Sequence, residues 1–117
     1  METAAPQVRT GVDSPKETLL RLVIVRSGLP EPVIGHRIAL GFMDIHPDLC
    51  YPEARIAIEY EGDRHRTDRR RWMRDITRVR ALTAAGWLVL RVVASDLSAP
   101  QTFLHELRMA HHHRTSA

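Results

Sequence analysis

Between residues 54 and 94 the hydrophobic pattern switches from strand to helix and back, and that switch constrains the fold more than any other feature. Ala54 to Glu61 alternates, so Ile56, Ile58 and Tyr60 project from one side and Glu59 and Glu61 from the other. From about Thr67 to Ala85, apolar residues recur at Trp72, Ile76, Val79 and Leu82 or Thr83, a helical stripe with arginines on the other faces. At that spacing Trp72 reads as a core residue rather than as a base-stacking platform. Gly86 ends the helix, and Trp87 to Ala94 is nearly all apolar, a strand expected to be buried on both faces.

The flanking segments complete the architecture. Ser14, Pro15 and Glu17 form a helix start of the S-x-x-E kind, and Gly28-Leu29-Pro30 stops that helix. Pro32 to Leu40 reads as a short strand, and Phe42 to Tyr51 as a second after a turn near Gly41. Pro52-Glu53 marks a turn before the third strand. Ser98-Ala99-Pro100-Gln101 opens a last helix with Phe103, Leu104, Leu107 and Ala110 inward. The expected order is α-β-β-β-α-β-α. It implies an α/β fold, a mixed sheet of about four strands with helices packed on both faces. Residues 13–110 form one domain, 1–12 a loose N-terminal tail and 111–117 a C-terminal tail in which His111, His112 and His113 bind metal only adventitiously.

Chemistry concentrates at the end of the third strand. Two carboxylates spaced two apart, Glu59 and Glu61, abut the Gly62 turn, and Pro47-Asp48 precedes them by about ten residues. Carboxylates so placed repel one another and resist burial, and a hard divalent cation with oxygen ligands is the economical way to offset them. Asp48 alone is equally explained by turn chemistry, and Glu17 by its capping box. His65 is either an ordinary exposed histidine or a proton-transfer group.

The 117 residues carry a formal charge of +3, and Lys16 is the only lysine among seventeen basic residues. Eight of the arginines lie between Asp63 and Arg80 against three aspartates, a local net of +5. Such clustering without an amphipathic anchor favours a polyanion over a membrane. Most of these side chains form a solvated helical face, and a few touch phosphate. Asp75 and Arg78, three apart, pair on the helix, and Arg91 is a buried or half-buried partner for an acid. The single cysteine, Cys50, excludes an intramolecular disulfide and reads as a small buried hydrophobe in a reducing, cytoplasmic setting. No run of about eighteen apolar residues is present to span a membrane.

These pieces, taken in order, resemble a known family. The text is Ser14-Pro15-x-Glu17, Pro47-Asp48-Leu49, Tyr51-Pro52-Glu53-Ala54-Arg55, Glu59-Tyr60-Glu61-Gly62-x-x-His65, Trp72-x-x-Asp75-x-x-Arg78 and Gly86-Trp87-x-Val89-x-Arg91. It is similar to the PD-(D/E)XK (restriction-endonuclease-like) superfamily, with its αβββαβ core, and within it to the very-short-patch-repair-like endonuclease-domain family. The resemblance implies a metal-dependent endonuclease that hydrolyses phosphodiester bonds in nucleic acid, DNA rather than RNA. By resemblance Asp48 and Glu59 hold Mg²⁺ or Mn²⁺, with the Tyr60 carbonyl as a further ligand, and Glu17 sits where many members place a first-helix glutamate. Glu61 or His65 then handles the proton, and Arg64 and Arg66, with Arg69, Arg70, Arg71 and Arg74, hold the phosphate backbone. Glu61 stands where the superfamily pattern has lysine. That departure leaves open a catalytically inactive nucleic-acid-binding module, and a protein-interaction or toxin-antitoxin accessory domain is a further reading. A monomer and a homodimer are both compatible with the sequence.

Overall fold

The computed structural model describes residues 15–61 and 69–116. Ten elements follow in chain order: α1 (Pro15–Arg26), β1 (Val33–Ile34), β2 (Ile38–Ala39), β3 (Asp44–Ile45), β4 (Leu49–Tyr51), β5 (Ile56–Tyr60), α2 (Arg69–Ala84), β6 (Leu88–Val92), α3 (Ala94–Ser98) and α4 (Gln101–Thr115). The main sheet has the order β1-β4-β5-β6. Its first two pairings are antiparallel, and β5 with β6 is parallel, so the sheet is mixed. The fold is α/β, with helices on both sides of the sheet.

Strand alternation divides the core in two. Leu49 and Tyr51 of β4, Ile56 and Ile58 of β5 and Val92 of β6 meet Leu20 and Ile24 of α1 and Phe103 and Leu107 of α4. On the other face Ala57 meets Leu82 of α2 together with Ile38 and Ile45 of the β2–β3 hairpin, and Trp87 and Val89 pack against them. Burial of these aliphatic side chains, worth roughly 1.5–3 kcal/mol each, is what fixes the layers. Cys50 is fully buried, and burial pushes its thiol up to about 11, which keeps it protonated and unreactive.

Several sequence expectations need correction. The predicted strand over 32–40 is two short strands, β1 and β2, in different sheets. Gly35, at a φ of 72°, lies between them, in a left-handed conformation that breaks an extended run. The strand over 42–51 is likewise split into β3 and β4 by His46-Pro47-Asp48. β6 is half-buried rather than buried on both faces, because it lies at the sheet edge; within it only Val92 is fully buried. The short helix α3 was not expected; Asp96 holds its start by accepting the Val93 N–H at 2.9 Å.

The C-terminal tail expected over 111–117 is also corrected, because α4 continues to Thr115. His111 packs its ring edge-on to Tyr51, with centroids 4.8 Å apart. Arg114 donates to the carbonyls of Ala54, Arg55 and Gly86 at 3.2, 3.2 and 2.9 Å, pinning the helix to the turns that start β5 and β6. Arg55 takes a positive φ of 55° there, and Gly86 one of 91°. Arg114→Ala is expected to cost about 1–2 kcal/mol, since charged donors to carbonyls are worth more than neutral ones but these are partly exposed. Chemical denaturation checks this; an unchanged midpoint would show that the pin carries no stability.

Candidate functional site

The acidic residues meet at the C-terminal end of β5, on the face covered by α2. Register explains how. Leu82 lies over Ala57. One turn earlier Arg78 reaches Glu59, and three residues before that Asp75 reaches Arg91, the register partner of Glu59 on β6. Two residues of strand advance about 6.6 Å and a helical turn about 5.4 Å, so helix and strand stay in step across the site.

The Glu59 side chain is only 13% exposed. Arg78 grips it with both guanidinium branches, Nη1 to Oε1 at 3.0 Å and Nη2 to Oε2 at 3.1 Å. Burial pushes the Glu59 carboxyl up, the Arg78 bond and charge draw it down, nearby Asp48 pushes it up again, and the net is upward. Arg78 also approaches Asp75 at 3.6 Å, as the sequence spacing predicts. Arg91 bonds Asp75 and pairs with Glu61, so it partners acids as expected, but it is exposed rather than buried.

Asp48 stands just before β4, where the ladder with β5 ends at Leu49↔Ile58. Its Oδ2 accepts the Tyr60 N–H at 2.8 Å, replacing the strand bond that Pro47 and Asp48 no longer supply. In an extended strand the N–H and C=O of one residue point to the same side, so the Tyr60 carbonyl is directed toward Asp48 as well. Asp48 therefore has the strand-ending role, and it also stands beside Glu59.

Among the described residues, no three carboxylate, histidine or cysteine side chains converge to hold a metal between them. The guanidiniums of Arg78 and Arg91 bridge the carboxylates instead. The donor chemistry still suits a hard cation. Asp48, Glu59, Glu61 and Asp75 stand against Arg78 and Arg91, a formal balance of −2. Each carboxylate oxygen has a second lone pair, so the Arg78 bond does not exhaust Glu59.

The remaining candidates are distributed unevenly. Glu17 lies half-buried in the first turn of α1, whose Leu20 and Ile24 pack on the opposite face of the sheet. Arg69, Arg70, Arg71 and Arg74 are exposed along the first half of α2. Arg64, His65 and Arg66 lie outside the described residues. Sequence reasoning confined Arg78 to a helix-surface pair with Asp75 and so missed its grip on Glu59. The available signal was that Asp75, Arg78 and Leu82 share one helical face. Trp72, expected in the core, is 53% exposed. Of the stripe it belongs to, Leu82 is buried over Ala57, Ile76 and Val79 are half-buried and Thr83 is exposed; Trp72 lies one turn beyond Asp75, where β5 and β6 have ended.

No family model and no solved structure matches the chain. It is 31% identical over 86 residues to the uncharacterized proteins Rv2248 and MT2308 of two Mycobacterium tuberculosis strains, H37Rv and CDC 1551. The match covers 73% of this chain but 32% of each relative, so the chain corresponds to about a third of their length.

Proposed function

We propose that this domain is a metal-dependent endonuclease of the restriction-endonuclease-like, very-short-patch-repair-like kind, acting on DNA. The observation that carries the reading is the convergence of Asp48 and Glu59 on adjacent strand ends with an excess of negative charge beside an arginine-rich helix. Asp48, Glu59 and the Tyr60 carbonyl would hold Mg²⁺ or Mn²⁺. When bound, such an ion lowers the pKa of a coordinated water and offsets charge on the attacked phosphate.

The chain's own residues do the rest. Arg78 keeps Glu59 oriented and opposes the protonation that burial favours. Glu61, just after β5 and paired with Arg91, would accept the proton, with His65 the other candidate. The exposed arginines of α2 hold the polyanion by charge and give affinity without reading sequence.

A second reading is supported by one observation: Arg78 and Arg91 already neutralise Glu59 and Glu61. A domain so arranged would bind nucleic acid without cutting it. The test is nicking of supercoiled plasmid in Mg²⁺ or Mn²⁺ against EDTA. Metal-dependent conversion to open circles is expected; DNA binding without conversion in either metal would establish the binding module instead.

A further inference from the structure

Trp72 is the chain's largest side chain type placed where a core stripe runs out of core. The residues before it on the helix are Arg69, Arg70 and Arg71, and Met73 and Arg74 follow. Trp72 is 53% and Met73 55% exposed, and Arg69, Arg70 and Arg74 are exposed as well. One turn along the same helix face, Asp75 joins the ion-paired cluster around Arg91 and Glu61. Trp72 is thus an aromatic surface on the approach to the acidic cluster, within a field of positive charge.

We propose that Trp72 is a stacking site for an unpaired base of a single-stranded nucleic acid, with the arginines of α2 holding the flanking phosphates. This rests on the nucleic-acid reading above and narrows its substrate. Charge selects the partner: exposed guanidiniums beside an indole attract a polyanion that also offers aromatic faces, and they repel a second copy of the same surface. Base exposure selects the form of nucleic acid. In an intact duplex each base face is covered by its neighbour, whereas a single strand presents bare faces to the indole.

The experiment measures binding of the whole chain to a fluorescently labelled oligothymidylate and to a labelled duplex of equal length, in EDTA so that nothing is cut. Trp72→Ala is expected to weaken single-strand binding at least about fivefold, the lower end for loss of one stacked base, with duplex binding changed less than about twofold. Trp72→Phe restores most of the single-strand affinity. Intrinsic tryptophan fluorescence is quenched by the oligonucleotide in the wild type and not in Trp72→Ala, where Trp87 alone remains. The stacking site is overturned, and the nucleic-acid reading kept, if Trp72→Ala changes both affinities alike or neither while Arg69→Gln, Arg70→Gln and Arg74→Gln together weaken both. A wild type that binds neither probe overturns both. Concentration-dependent dimerisation that Trp72→Ala abolishes would assign the surface to a second copy and overturn the proposal.

Discussion

Asp48→Asn is expected to reduce metal-dependent nicking by at least about two orders of magnitude while the domain stays folded, because in the proposed site it would remove a charged oxygen ligand from a cation that requires several. The asparagine oxygen can still accept the Tyr60 N–H, so the strand end survives. This separates the two roles of Asp48 in a way that alanine cannot. Asp48 also pushes the Glu59 carboxyl up by like-charge repulsion. Its neutralisation should leave the metal-free protein at least as stable as the wild type.

The metal response provides a second reading of the same variant. A cation that binds only the folded state stabilises it by RT ln(1 + [L]/Kd). With Kd on the order of 1 mM, roughly 10 mM Mn²⁺ adds about 1.4 kcal/mol, several degrees for a domain of this size. Asp48→Asn should erase most of that shift, measured after His111, His112 and His113 are replaced. An asparagine variant that loses metal-free stability yet keeps the full shift would make Asp48 a structural cap alone.

Arg78→Met should destabilise the domain by about 3 kcal/mol, near the lower end for breaking a buried ion pair because Arg78 is itself a quarter exposed. The cost comes from the Glu59 carboxylate left in a desolvated place. Its pH dependence follows from sign. Burial already raises Glu59, and loss of Arg78 removes the main influence drawing it down, so its folded pKa rises further. A carboxyl whose folded pKa is above its unfolded value contributes stability at pH below the unfolded pKa. That contribution is lost as pH rises through the folded pKa. The deficit of Arg78→Met relative to wild type should therefore grow with pH across and above the ordinary carboxylate range. Adding Glu59→Gln should recover most of it. Thermal melts at a series of pH values check this, and a deficit that is flat in pH or unrelieved by Gln would place its origin in packing.

The strand ending in Glu59-Tyr60-Glu61, the long arginine-rich helix and the apolar last strand were legible because each carries an unbroken hydrophobic period over five or more residues. The two-residue strands were not: a segment as short as Val33–Ile34 or Asp44–Ile45 has no period to read, and pairing with a neighbour defines it. At the site, alternation alone placed Glu59 and Glu61 on one face. The grip of Arg78 depends on the registration of α2 against β5, which is a tertiary property. The same holds for Trp72, whose helical spacing is plain in the sequence and whose exposure depends on where the neighbouring strands stop. Arg114 escaped notice for a related reason, since a basic residue near a chain end has no local pattern that distinguishes a pin from a solvated charge.

The mixed pairing of the sheet also gives the site a history during folding. β4 and β5 are joined by a tight turn at 52–55, so their pairing closes a short loop, and it brings Asp48 beside Glu59. β5 and β6 pair in parallel only after the whole of α2 has been threaded between them, and loop closure over that length is slower. On that order the acids would come together before Arg91 arrives to pair with Glu61 and Asp75.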